Sequence, residues 1–232
     1  MPHMDEPRTD GKAMVLTPLL PPAKPRLRGW FHQIAFLASI PLGLALVAVA
    51  DTTAAKVAAL VYSLGASALY GTSAAYHRGH WSPRGRAWMK RLDHSMIFVL
   101  IAATYTPICV LGLRGSGATL TLVGVWAGAT LGVVLGMAGI AEKNGVGMTL
   151  YLIMGWVAAL SAPSLAQRLG PVNLGLIVVG GVAYTVGAVI LGTNWPNPRP
   201  ATFGYHEVWH TFTLVAGACF GVVVWGLVLG AA

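Results

Sequence analysis

Seven long apolar segments dominate this chain and constrain its fold more than any other feature. Only 9% of its 232 residues are charged, whereas a soluble globular domain carries about 25%. Each segment approaches the roughly 20 residues that a helix needs to cross the hydrocarbon core of a bilayer. The segments cover residues 31–50, 55–77, 92–113, 117–140, 146–166, 171–192 and 206–230. The sequence therefore predicts an all-α, integral membrane bundle of seven transmembrane helices.

Residues 1–30 differ in composition from everything that follows. They are polar, rich in proline and basic, which is typical of a disordered segment. They also lack an apolar core followed by a small-residue cleavage site, so they do not resemble a removable signal peptide. We therefore predict a disordered basic tail over 1–30 and a single transmembrane domain over 31–232.

The distribution of Lys and Arg predicts the orientation of the bundle. Twelve of the 15 lie in the tail or in connections that share its side of the membrane. Cytosolic connections carry such an excess, so we expect a cytosolic N-terminus and an external C-terminus in the inner (plasma) membrane. Because these charges mark topology rather than a basic face with interleaved aromatic residues, we expect no nucleic-acid partner. The three on the opposite side are Lys56, Arg114 and Arg168.

A few ionisable side chains fall near the predicted cytosolic ends of the spans. Ser73 and His77 close the second span, Asp93 opens the third, and His206 and His210 open the seventh. An ionisable group at a helix centre costs about 2.5–3.5 kcal/mol on insertion scales. Residues four apart share one helix face, so each of the two pairs can point at one site. Three imidazoles with one open position are typical of a catalytic zinc centre.

Such a centre would support hydrolysis. Zinc lowers the pKa of its bound water towards 7 and so provides hydroxide at neutral pH. Asp93 could hold that water and shuttle its proton, and Ser73 could orient the water or stabilise an oxyanion. Zinc is the expected cofactor, although iron, copper and nickel also accept imidazole ligands.

Three stretches together resemble one known group of membrane proteins. They are GTSAAYHRGHW (71–81), KRLDHSMIFVLIAATYTPICV (90–110) and FGYHEVWHTF (203–212). The chain is identified from them as similar to the hemolysin III family, within the progestin and adiponectin receptor superfamily. That resemblance implies a seven-helix bundle with cytosolic zinc bound by His77, His206 and His210. It also implies that Asp93 and Ser73 lie next to the metal-bound water.

One alternative concerns which carboxylate acts as the general base. His206 to His210 also spells the H-E-x-x-H pattern of zinc metalloproteases, in which the glutamate is the general base. We favour Asp93 for that role and expect Glu207 at the cytosolic interface or paired with a base such as Arg199. A second alternative is that each histidine merely forms hydrogen bonds between helices.

Other residues are expected to have structural or peripheral roles. We expect His32 at the membrane interface, His80 in solvent and His94 in helix packing. Gly128, Gly132 and Gly136 form one stripe that favours close helix approach. The sequence leaves open whether the stripe packs within one bundle or between two, so the oligomeric state is open as well.

Three functions are compatible with these features. The resemblance extends to alkaline ceramidases, which implies a zinc-dependent hydrolase of a lipid amide or ester, linked to membrane lipid homeostasis. The second candidate is a sensor of membrane lipid state that contains structural zinc. A cytolytic or channel-forming protein is the least favoured, because no polar stripe that could line a pore recurs along several helices.

Overall fold

The computed structural model describes residues 24–141 and 145–230, apart from the side chains of residues 160–164. All named elements in these ranges are helical. α3 continues into a π-helical turn at Ile108–Gly112, and α5 is followed by a 3₁₀ turn at Val157–Ser161. The α-helices are α1 Trp30–Ala48, α2 Thr53–Arg78, α3 Pro83–Pro107, α4 Ser116–Met137, α5 Val146–Trp156, α6 Ala162–Thr193 and α7 Tyr205–Val228.

Within the described residues, six helices are long and apolar enough to cross a membrane. The all-α membrane prediction is therefore confirmed, but the fifth apolar helix, Val146–Ala159, is shorter than the other six. The predicted start of the sixth segment at residue 171 coincides with a break in helical geometry at Gly170, inside the range of α6, whereas α5 ends at Trp156, before the predicted end of the fifth segment at 166. Gly170 adopts a left-handed φ of 72°, and this kink joins the preceding turns to α6.

α3 lies at the centre of the bundle and α1 at its periphery. In α3, 61% of an apolar stretch of 18 residues is buried, compared with 11% of the corresponding stretch in α1. The largest apolar core surrounds the side chains of Phe98 from α3, Val125 from α4 and Val223 from α7. The central position of α3 explains how a carboxylate near its start can be enclosed by other helices.

α3 also begins earlier than predicted. Ser82 accepts a hydrogen bond from the backbone N–H of Gly85 at 3.2 Å, and Pro83 occupies the first turn. Both are standard helix-starting features. Residues 78–91 connect the second and third predicted spans. Most of this connection is a helical extension of α3.

The chain that precedes α1 packs against the start of α7. The N–H groups of Arg26 and Leu27 donate to the carbonyls of Ala201 and Thr202, each at 3.1 Å. Gly29 has a φ of 82°, and a Cβ there would lie 2.7 Å from the Cβ of His77. The prediction of a disordered tail is therefore wrong for residues 24–29, while residues 1–23 lie outside the described residues.

The predicted glycine stripe on α4 mediates packing within the bundle. A Cβ at Gly132 would lie 2.5 Å from the ring of Phe98. A Cβ at Gly136 would lie 2.5 Å from the hydroxyl of Ser95. The missing side chains therefore allow α4 to approach α3 closely.

We expect Gly132→Ala to lower the melting temperature in detergent by several degrees. The added methyl group would collide with Phe98, a fully buried ring, and overpacking typically costs about 1–3 kcal/mol. Gly124→Ala on the same helix is the matched control, because nothing lies within 4 Å of a Cβ there. Since alanine is a better helix residue than glycine, the control should be neutral or slightly stabilised. Equal melting temperatures for the two variants would contradict this packing.

Candidate metal centre

Three histidines from two distant stretches of the chain converge at one end of the bundle. His77 lies in the last turn of α2, and His206 and His210 lie in the first two turns of α7. The Nε2 atoms of His77 and His206 are 3.1 Å apart. The ring centroid of His210 lies 5.2 Å from that of His77 and 4.6 Å from that of His206. The four-residue spacing on α7 thus brings both of its imidazoles to the same side of the helix.

The cluster has the donor set of a metal site. Each of the three residues offers a ring nitrogen within 4.8 Å of the other two. Neutral imidazole nitrogens are metal ligands, and a shared cation would take the place of the hydrogen bond that joins the Nε2 atoms of His77 and His206. These three histidines could therefore hold a metal ion.

Ser73 and Asp93 lie beside the histidines. The nearest carboxylate oxygen of Asp93 is 3.6 Å from Nε2 of His77, and the hydroxyl of Ser73 is a hydrogen-bond partner of that carboxylate. Ser73 lies one turn before His77 on α2, and both Ser73 and Asp93 are buried. The structure thus brings together all five residues that the sequence singled out.

Glu207 is buried but has structural partners. Its carboxylate accepts a hydrogen bond from the backbone N–H of Gly204 at 2.8 Å, as in a capping box at the start of α7. Its other oxygen pairs with Nε of Arg28. Glu207 is therefore paired with a base, as one of the two expected alternatives had it, but the base is Arg28 rather than Arg199, because the segment before α1 brings Arg28 to this helix start.

His32 was expected at the membrane interface, and this prediction was wrong. Its side chain is 3% exposed. The ring stacks on that of His210, with centroids 3.8 Å apart and planes within 3° of parallel. The close approach at Gly29 brings the first turn of α1 over the histidine cluster. Hydropathy placed His32 correctly near a span end but could not show that it faces inward. His80, in contrast, is exposed as predicted.

A mostly apolar cavity of about 220 Å³ begins beside the histidine cluster and extends into the bundle. His32, Ser73 and Asp93 line it at one end, and it follows α3 from Asp93 to Ile108. At 1.5 Å of rise per residue, that stretch of α3 is roughly 22 Å long. The cavity is therefore elongated along α3, and we call it the apolar cavity.

Basic residues surround the end of the bundle that holds the histidines. Partial burial lowers the pKa of Lys24, and the nearby charges of Arg86, Arg28 and Arg78 lower it further. These four cations come from the segment before α1, the end of α2 and the start of α3. A positive rim of this kind attracts anionic headgroups, each Lys or Arg near the surface contributing about 1 kcal/mol.

The family of the chain follows from comparison with known proteins. A model of the family described as Haemolysin-III related matches residues 22–221. The chain belongs to this haemolysin III family. The matched range includes every residue of the centre, from Arg28 to His210, so the resemblance predicted from three motifs is confirmed.

Individual relatives are similar to this chain over more than half of its length. The chain is 32% identical to Hemolysin-3 of Bacillus cereus over 190 residues, which cover 81% of this chain and 84% of the relative. It is 33% identical over 127 residues to the Hemolysin-3 homolog of Bacillus subtilis strain 168, covering 55% and 57%. It is also 25% identical over 177 residues to the human monocyte to macrophage differentiation factor, covering 73% and 70%. The last relative extends the haemolysin III likeness to the progestin and adiponectin receptor superfamily.

We expect the purified protein to contain one tightly bound metal ion per chain. His206→Ala and His210→Ala should each reduce the metal content to background, because each removes one of three ligands. His80→Ala is the matched control, since His80 is exposed and outside the cluster. Elemental analysis of the three variants and the wild type measures this directly. Full metal content in His210→Ala would exclude this ligand set.

Proposed function

We propose that this protein is a zinc-dependent membrane hydrolase that acts on an amide or ester bond in a lipid and contributes to membrane lipid homeostasis. One observation carries the proposal. The histidine cluster lies beside Asp93 and Ser73, and these two residues line one end of an apolar cavity that is long enough for an acyl chain. A metal centre that only stabilised the fold would require neither the carboxylate nor the cavity.

The shape of the apolar cavity favours a lipid as the substrate. The cavity runs for roughly 22 Å along α3, more than half of the ~30 Å hydrocarbon thickness of a bilayer. Its length and its mostly apolar lining suit an extended hydrocarbon chain. A chain that filled it would place its polar end at Ser73 and Asp93.

The cavity also reaches the lipid-facing surface between α5 and α6. Two of its lining residues, Trp156 and Val178, are 46% and 52% exposed. The indole N–H of Trp156 donates to the hydroxyl of Thr185 at 3.1 Å, which links the two helices beside this opening. A lipid could therefore reach the cavity from within the bilayer, without passing through water.

Zinc suits the histidine cluster. Zn–N bonds of about 2.0–2.1 Å at tetrahedral angles place neighbouring nitrogens roughly 3.3 Å apart. The observed separation between His77 and His206 is 3.1 Å. Three imidazole ligands also leave one position open, as in catalytic rather than structural zinc sites. Zinc bound there supplies a Lewis acid that polarises a carbonyl and makes water more acidic.

The protein groups have complementary roles in the proposed reaction. Asp93 accepts the proton of the attacking water and later returns it to the leaving amine or alcohol. The hydroxyl of Ser73 orients the Asp93 carboxylate and keeps it directed at the site. Glu207 takes no part, because Arg28 and the Gly204 N–H already engage its carboxylate.

The distribution of positive charge supports an orientation in which this chemistry lies at the inner leaflet. Among the described residues, nine Lys and Arg side chains belong to segments at the histidine end and three to segments at the other end. By the positive-inside rule the histidine end is cytosolic. In this proposal the shorter helix α5 also crosses the plasma membrane, which gives seven spans. The nine are Lys24, Arg26, Arg28, Arg78, Arg84, Arg86, Lys90, Arg91 and Arg199.

The direct test is hydrolysis of a fluorescently labelled ceramide by purified protein in detergent micelles. We expect zinc-loaded protein to release labelled fatty acid, a chelator to abolish release, and added zinc to restore it. Retention of full activity by metal-free protein would refute the mechanism. If zinc-loaded protein releases no fatty acid from ceramides or from ester-linked lipids, the alternative of a lipid sensor with structural zinc is favoured.

Two isosteric substitutions distinguish the candidate bases. Asp93→Asn should lower the hydrolysis rate by about 10²- to 10⁴-fold, the usual contribution of a general base, with zinc retained. Glu207→Gln should keep the hydrolysis rate per folded molecule but lower the melting temperature, because Arg28 loses its charged partner. Rates and zinc content are measured on the same preparations. The reverse pattern, with Glu207→Gln inactive and Asp93→Asn active, would assign the base to Glu207 as in metalloproteases.

A further inference from the structure

We propose that His32 is a lipid-binding residue, which forms a hydrogen bond with the carbonyl or carboxylate end of the acyl chain in the apolar cavity. This inference rests on the proposed function in one respect, namely that an acyl lipid occupies the cavity. It adds a residue on α1 that neither the motifs nor the histidine cluster includes.

The first observation is that His32 is buried without a hydrogen-bond partner. Neither Nδ1 nor Nε2 has one among the described residues, although the side chain is only 3% exposed. Leaving a buried polar group unsatisfied costs about 1–3 kcal/mol, and such groups are few in folded proteins. A ligand with a polar end would satisfy this ring.

The second observation is that stacking separates His32 from the metal ligands. Its ring is parallel to that of His210 at 3.8 Å, so its nitrogens lie in a plane displaced from the nitrogens of His210. Within the described residues the potential ligand group comprises His77, His206 and His210, without His32. His32 is therefore beside the centre but has a different role from its ligands.

The third observation is the distribution of available polar groups along the cavity. The lining residues Thr104, Thr185 and Thr213 donate their hydroxyls to backbone carbonyls within their own helices. Tyr105 is likewise engaged, with the carbonyls of Met154 and Gly155. At the histidine end, in contrast, His32 lines the same cavity with both nitrogens unpaired.

Together these observations define the chemistry of the ligand. A neutral imidazole offers one N–H donor and one acceptor, and the N–H suits a carbonyl or carboxylate oxygen. The rest of the cavity suits the hydrocarbon. The geometry therefore points to an acyl chain whose oxygen-bearing end lies against His32, beside Asp93 and the histidine cluster.

The test compares two probes that share a hydrocarbon chain but differ in the end group. Oleic acid carries a carboxylate, whereas 1-octadecene carries none. Binding of each to the zinc-loaded protein in detergent is followed by tryptophan fluorescence. We expect His32→Phe, which retains an aromatic ring on His210, to bind oleic acid about tenfold more weakly. Its affinity for octadecene should be unchanged, and His32→Gln should recover part of the lost affinity.

Metal content and melting temperature distinguish this role from a structural one. Both should equal the wild-type values in His32→Phe, and His80→Phe should match the wild type in every measurement. The inference is refuted if wild type does not bind oleic acid, or if His32→Phe binds it as tightly as wild type. It is also refuted if the variant loses zinc, or loses both probes equally.

If His32→Phe does not fold, NMR of ¹⁵N-histidine-labelled wild type decides the question. The imidazole signal that is present in the spectrum of the wild type and absent from the spectrum of His32→Gln belongs to His32. That signal should shift with oleic acid and not with octadecene, and the absence of such a shift would refute the inference. Failure of the hydrolase proposal has a different signature, namely no ceramide turnover together with His32-dependent oleic acid binding.

Discussion

The rest of the structure depends on one constraint, the burial of several polar side chains at one end of an otherwise apolar bundle. His32, Ser73, His77, Asp93 and His210 are each at most 5% exposed. Each ionisable member alone would destabilise a membrane helix. Their convergence allows the proposed cation and the proposed polar ligand end to satisfy groups from α1, α2, α3 and α7 at once. The arrangement of those four helix ends follows from this requirement.

Contacts outside the centre hold these helix ends together. Glu207 caps α7 and pairs with Arg28, while the backbone of Arg26 and Leu27 bonds to the connection before α7. Gly29 lets this segment pass against His77 without a side-chain collision. The glutamate of the H-E-x-x-H pattern thus positions the helix that carries two histidines. This structural role accounts for a buried carboxylate beside the cluster and leaves Asp93 as the carboxylate available for the proposed proton transfer.

The sequence predicted what depends on local periodicity and failed where tertiary contacts decide. Four-residue spacing placed His206 and His210 on one face of α7, because helix geometry determines this without reference to neighbours. The buried position of His32 could not be predicted, since hydropathy near a span end does not show which way an imidazole points. Likewise, the pairing of Glu207 with Arg28 depends on how the chain before α1 folds back. The start of the sixth span at residue 171 was predicted correctly, because a glycine followed by a proline marks the break at Gly170, but the end of α5 at Trp156 was not.

The distribution of polarity along the cavity also bears on the proposed reaction. Hydroxyls of the threonines deep in the cavity are engaged with backbone carbonyls, so these threonines do not compete with His32 for the polar end of a ligand. An acyl lipid in this cavity would therefore bind in one direction, with its carbonyl at Asp93 and the histidine cluster. Orientation of this kind supplies a large part of a catalytic effect, because it holds the reacting groups together before reaction. The same oriented binding would serve a lipid sensor, so the decisive difference between the two functions is the chemistry at Asp93.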